Sequence, residues 1–131
     1  MIKATIYNSK TGQIEMSIEA PDEETVLLQN RSKDSSIHWG EAYAWNDTYF
    51  DKGQPVPRPQ MKLYIDPGYE LNAGQELLIR NIPKGCKVTH AGGATSVDDG
   101  FISWSTDEPG DYSFLFQLYP YAEVEINASV R

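Results

Sequence analysis

Cysteine is almost missing from this sequence: Cys86 stands alone, so no disulfide can form within the chain and nothing points to an oxidising compartment. Histidine is nearly as scarce. His38 and His90 lie far apart, whereas a zinc centre needs several Cys, His or carboxylate ligands brought together, so neither a metal nor any other cofactor is expected. Basic residues number 11 against 19 acidic ones, for a formal net charge of -8, and they form no cluster. Such a balance opposes a phosphate backbone at long range and makes nucleic acid an unsuitable partner. No apolar stretch approaches the length that spans a bilayer, so no membrane partner is expected. Met1 to Tyr7 alternates polar and apolar residues in place of a basic head and an apolar run; the expectation is therefore no signal peptide and folding in a reducing cytoplasm.

The chemistry-bearing motifs are as sparse as the ligands. An EF-hand loop, a phosphate-binding glycine loop and a Gly-x-Ser-x-Gly elbow are all missing. Cys86 and His90, four residues apart, share parity on one strand, but a small buried thiol explains the cysteine without a nucleophile. Asp98-Asp99 precedes Gly100 and reads as a hairpin turn, not as a pair of working carboxylates, and His90 to Ser96 reads as a loop of small residues. No nucleophile, base and orienting group converge, so no catalytic residue is assigned and the protein is expected not to be an enzyme.

What the 131 residues do carry is alternation and turns. Ile2/Ala4/Ile6 and Ile14/Met16/Ile18 are two alternating runs around Asn8 to Gln13, which predicts a β-hairpin with those triplets facing inward. Pro21 followed by Asp22, Glu23 and Glu24 predicts one or two helical turns that dock Val26, Leu27 and Leu28 onto the hairpin. After the polar stretch Asn30 to Ser36, Ile37 to Trp45 and Thr48 to Gly53 predict two strands around a tight Asn46-Asp47 turn. Pro55, Pro57 and Pro59 then predict an extended edge or semi-rigid linker. The boundary is placed there, giving an N-terminal region 1–59 and a C-terminal domain 60–131.

From Gln60 onward six apolar runs are separated by turns that all contain glycine: Asp66-Pro67-Gly68, Asn72-Ala73-Gly74, Pro83-Lys84-Gly85, Gly92-Gly93, Asp98-Asp99-Gly100 and Glu108-Pro109-Gly110. Glycine supplies positive φ and proline fixes the φ of a turn's second residue, so the pattern predicts an antiparallel sandwich or small barrel. Tyr112/Phe114/Phe116/Leu118 and Val124/Ile126/Ala128/Val130 supply its core faces. The whole is mainly all-β, with one short helix.

Aromatics offer the candidate contact surface. Trp39, Tyr43, Trp45, Tyr49 and Phe50 form the densest group; the parity shared by Trp39, Tyr43 and Trp45 favours core, and a sugar-binding or protein-binding surface is the alternative. Tyr119 and Tyr121 flank Pro120, at a bend that either presents both rings for contact or crosses between sheets.

Two stretches together resemble small virion-associated proteins of tailed bacteriophages. Ile6 to Ile14 and Thr48 to Pro59 form the first, a strand, an Asn-x-x-Thr-Gly turn and an Arg-Pro segment. The second is Ile79 to Val88, then Val97 to Trp104, then Glu108-Pro109-Gly110-Asp111-Tyr112, which looks like the immunoglobulin-like (Ig-like) module of these proteins. The resemblance implies a C-terminal Ig-like antiparallel β-sandwich and a non-enzymatic structural role in the virion. The implied partners are other virion proteins, tail or fibre components, in a multicopy or homo-oligomeric assembly. Two other roles fit the same residues: a module that recognises a host surface glycan or protein, and an assembly chaperone for a fibre.

Overall fold

The structure, a computed structural model, describes residues 1–29 and 32–131. Asn30 and Arg31, the start of the polar stretch, lie outside the described residues. Among the described residues the fold is of the all-β class with one short helix, and the chain divides into two compact units, Met1–Arg58 and Pro59–Arg131.

In the N-terminal unit β1 (Ile2–Asn8) is the central strand of a three-stranded antiparallel sheet, flanked by β2 (Ile14–Ala20) and β3 (Ser35–Trp39). Ala4 and Ile6 are buried and pair with Ile18 and Met16 across the β1–β2 ladder. A bulge corrects the expected inward face of β2. Ile6 pairs with Met16 and Tyr7 pairs with Ile14, leaving Glu15 as the extra residue, so Ile14 moves to the opposite face from Met16 and Ile18.

Helix α1 (Glu23–Leu27) starts where the sequence predicts. Asp22 is its N-cap: the carboxylate accepts from the Thr25 backbone N–H at 2.8 Å and from the Thr25 hydroxyl at 2.7 Å. Only Val26 docks, joining Ala4 and Ala20 with Ile18 and Ile37 at the rim. Leu27 and Leu28 are exposed, contrary to the expectation that all three pack; five helical residues bring a single side chain over the sheet.

The region after β3 also differs from expectation. β3 ends at Trp39 because Gly40 takes φ +103°, a conformation that L side chains rarely adopt, and the chain leaves the sheet. The hairpin lies further on: β4 (Thr48–Asp51) pairs with β5 (Gln54–Pro57) across Lys52-Gly53. Those two residues have φ +52° and +79°, the signature of a type I′ turn. Pro55 and Pro57 are thus strand residues of a two-stranded ribbon, where a missing N–H is tolerated on the outer edge.

In the C-terminal unit, β6 (Tyr64–Asp66), β8 (Leu77–Arg80) and β11 (Phe101–Trp104) form a three-stranded sheet in the order β11-β8-β6. A five-stranded sheet runs β10-β9-β12-β13-β7, from β7 (Glu70–Leu71), β9 (Cys86–His90), β10 (Gly93–Val97), β12 (Gly110–Gln117) and β13 (Val124–Val130). Both sheets contribute to one core, with Leu77 and Ile79 from the first and Cys86, Val88, Phe114, Phe116, Ile126 and Ala128 from the second. The six glycine turns separate consecutive strands, with Gly93 and Gly110 opening β10 and β12.

Three expectations are corrected here. Gly93 to Ser96 belongs to β10, not to a loop: these small residues lack apolar alternation and take their register from β9. Asp98-Asp99-Gly100 carries the chain from β10 in one sheet to β11 in the other, so it is not a hairpin. Tyr119 to Tyr121 does not cross between sheets, because β12 and β13 are antiparallel neighbours in one sheet.

The cap at Asp22 yields a pH-dependent test. Its hydrogen bonds from the Thr25 hydroxyl and N–H hold the carboxyl below its ordinary 3.8. The stabilisation is therefore present above that value and lost as pH falls through the lower folded-state value. Asp22→Ala lowers the thermal midpoint at neutral pH, and the difference from wild type shrinks as pH is taken below 3.8. A pH-independent difference would remove the cap's charge from the account.

Candidate functional site

The second face of the N-terminal sheet, the side of Thr5, Tyr7, Ile14 and His38, is covered by the segment that follows Gly40. Thr5 is fully buried and organises that cover. Its hydroxyl donates to the Glu41 carbonyl at 2.9 Å and accepts from the Tyr43 N–H at 3.0 Å. On the neighbouring strand the Ser17 hydroxyl donates to the Tyr43 carbonyl. Two side chains thus satisfy backbone groups that would otherwise need a strand partner, and they strap residues 41–43 to the sheet.

Rings complete the strap. Phe50 stacks on Tyr7 with centroids 4.0 Å apart and planes 7° apart, and its N–H donates to the Gly12 carbonyl at 2.8 Å. Tyr43 meets Phe50 edge-on at 6.1 Å, while His38 tilts against both, at 5.8 Å from Tyr43 and 5.4 Å from Phe50. Such offset and edge-to-face pairs add to the area they bury.

The structure separates the five aromatics that the sequence groups. Phe50 is buried, which removes it from any contact surface, and Tyr43 and Tyr49 are half-buried. Trp39 and Trp45 are 42% and 50% exposed, so the core role favoured by their parity is overturned. That parity argument assumes one strand through Trp45, and the strand stops at Trp39. Register then sets Trp39 opposite Ala4, on the face that carries α1, whereas Trp45 belongs to the strap over the other face. The two indoles do not form one patch.

Trp45 is nevertheless held firmly. The buried Arg58 guanidinium lies 5.6 Å from the Trp45 ring centroid, and the Arg58 N–H donates to the Asp47 carbonyl at 2.9 Å. Turn bonds from the Asp47 and Thr48 amides to the Ala44 carbonyl close the loop beneath it. The indole is a half-exposed apolar surface on a fixed base, the arrangement that protein contacts favour.

In the C-terminal unit Tyr119 is exposed and Tyr121 is half-buried against the core, in the loop between β12 and β13. The Tyr121 N–H donates to the Leu118 carbonyl, and the Ala122 N–H to the Pro59 carbonyl. Tyr121 borders a depression with Gln60, Met61, Lys62, Asn81, Ile82 and Pro83.

The residues considered for chemistry remain apart. Cys86 is fully buried, and burial pushes its thiol above the ordinary range, which disfavours a thiolate. His90 packs its ring 5.8 Å from Phe114 and accepts from the Gly92 N–H. Among the described residues no three His, Cys, Asp or Glu side chains stand together as a metal site would require, and no helix is long and apolar enough to cross a membrane. What sequence reasoning misses is Thr5, which alternation assigns to a polar face; the signal was the aromatic run itself, which needs an acceptor surface.

Two measurements check this geometry. Thr5→Val leaves the Tyr43 amide and Glu41 carbonyl without their partner and costs roughly 1–3 kcal/mol in urea unfolding, with faster amide exchange at Tyr43, whereas Thr5→Ser retains most of the stability. Cys86 resists aromatic disulfide reagents in the native protein and reacts fully in denaturant; rapid native labelling would contradict its burial. Comparison of the chain with protein-family models, with curated proteins and with solved structures gives no match in any of the three.

Proposed function

We propose that the protein is a non-enzymatic structural accessory of a tailed-bacteriophage virion, attached to tail or fibre components and present in several copies. Trp45 carries the reading: a half-exposed indole fixed by Arg58 and by the Thr5 strap is built for contact, while the thiol and imidazoles serve packing. The N-terminal unit is the docking half. Tyr119 supplies a second contact point in the C-terminal unit.

The C-terminal unit is Ig-like in this reading. Its chain order places the first, third and sixth strands in one sheet, and the fourth, fifth, seventh and eighth in the other, with β7 added parallel to β13. The Tyr112 hydroxyl, near the start of β12, donates to the Glu108 carbonyl at 2.7 Å, four residues upstream, a bond that supports this reading because it is like the tyrosine corner of such sandwiches. Phe114 holds the place two residues on where antibody domains carry a cysteine, as suits a module folded in a reducing host cytoplasm. The edge strand β10 presents Gly93, Ala94, Thr95 and Ser96 exposed and without charge or proline, an edge suited to pairing with another chain.

Mass spectrometry of purified particles of the phage that encodes the chain tests the assignment. The protein is expected in the particle, and Trp45→Ala, folded by circular dichroism, is expected to reduce its incorporation severalfold. Presence in the infected-cell lysate with absence from particles would replace this reading with that of an assembly chaperone.

A further inference from the structure

The outer face of the three-stranded sheet carries a row that the proposed function does not use. Antiparallel register places Tyr64 on β6, Arg80 on β8 and Phe101 on β11 directly side by side, and Asp66, Leu78 and Ser103 in the next row. The alternate residues Ile65, Ile79 and Ile102 point into the core, so the Tyr64–Arg80–Phe101 row projects outward. Tyr64 is 60% exposed and Phe101 47%, and Arg80 between them is exposed. Leu78, Arg80, Asp99, Gly100 and Phe101 line a shallow depression on this face.

Two large rings displayed on a rigid sheet keep apolar surface in water, which soluble surfaces ordinarily limit. Being two strands apart, their backbone positions stand roughly 9–10 Å from each other at ordinary strand spacing. Arg80, a side chain with several donors, lies between them in the row; Asp66 stands in the next row, and Asp99 lines the same depression as Arg80 and offers acceptors. A polyanion meets those carboxylates and a net charge of -8, and a cation meets Arg80 in the middle of the row. A neutral polyol with apolar faces conflicts with neither: its C–H faces cover the rings, and its hydroxyls accept from Arg80 and donate to Asp99. We propose that this row is a binding site for an extended neutral oligosaccharide, with Tyr64 and Phe101 as platforms and Arg80 and Asp99 as the polar pair. The site belongs to the C-terminal unit alone and does not depend on the virion reading.

The test uses the isotope-labelled full chain, titrated by NMR with four neutral hexasaccharides, cellohexaose, maltohexaose, mannohexaose and N-acetylchitohexaose, and with a polygalacturonate oligomer as the anionic probe. Saturable shifts of the Tyr64, Arg80 and Phe101 amides with at least one neutral hexasaccharide are expected. Tyr64→Ala and Phe101→Ala each weaken that affinity by about three- to tenfold, as loss of one ring contact implies. Leu28→Ala, an exposed side chain in the other unit, leaves it unchanged, and the retained spectrum of each variant shows that it has folded. Shifts with none of the four, tighter binding of polygalacturonate, or an affinity unchanged in the Tyr64→Ala/Phe101→Ala double variant would overturn the proposal.

Discussion

The Thr5 hydroxyl both donates to the Glu41 carbonyl and accepts from the Tyr43 amide, and what the N-terminal unit can present to its surroundings depends on this pair of bonds. A three-stranded sheet with one five-residue helix has only one face partly covered. Its other face carries Tyr7, Ile14 and His38, and leaving it bare would expose rings and an isoleucine together. The strap fixed at Thr5 closes that face by bringing Tyr43 and Phe50 onto it, and in doing so sets Trp45 outward over Arg58. One buried hydroxyl thus links the packing of the sheet to the display of an indole.

The C-terminal unit uses a different economy. Its core is almost entirely aliphatic and phenylalanine side chains drawn from both sheets. Trp104 packs edge-on to Phe114 at 5.2 Å and tilts against Tyr112 at 4.8 Å, so the ring whose hydroxyl closes the β11–β12 connection is itself anchored to the core. Connection and core hold each other in place. No disulfide within the chain contributes to that coupling, since Cys86 is the single cysteine.

Local chemistry explains which parts were legible in the sequence. Turns built on glycine and proline, the alternation of β12 and β13, and the acidic start of α1 each depend on residues within a few positions of one another, and they were readable. The strap was not, because Thr5 and Tyr43 are 38 residues apart and the parity of Trp39, Tyr43 and Trp45 suggested a strand that Gly40 ends. The bulge at Glu15 was hidden for a similar reason: a one-residue offset is set by pairing across strands, not by composition. β10 has no apolar period to detect. Tyr64 and Phe101 did carry a signal, alternating with Ile65 and Ile102, but one alternation of apolar residues in a short strand does not say which parity faces the core.

The position of β13 within its sheet has a consequence for the order in which the module can form. It lies between β12 and β7, pairing antiparallel with one and parallel with the other, yet it follows every other strand of the unit in sequence. A ribosome that has released β6 through β12 has released a core with Ile126, Ala128 and Val130 still missing and β7 without a partner. Closing this edge therefore joins residues some sixty positions apart, Glu70 with Ser129 and Leu71 with Val130, and such non-local pairing carries the cost of ordering the chain between them. Until β13 docks, the edges of β12 and β7 that it covers have no partner, and its arrival is what closes them.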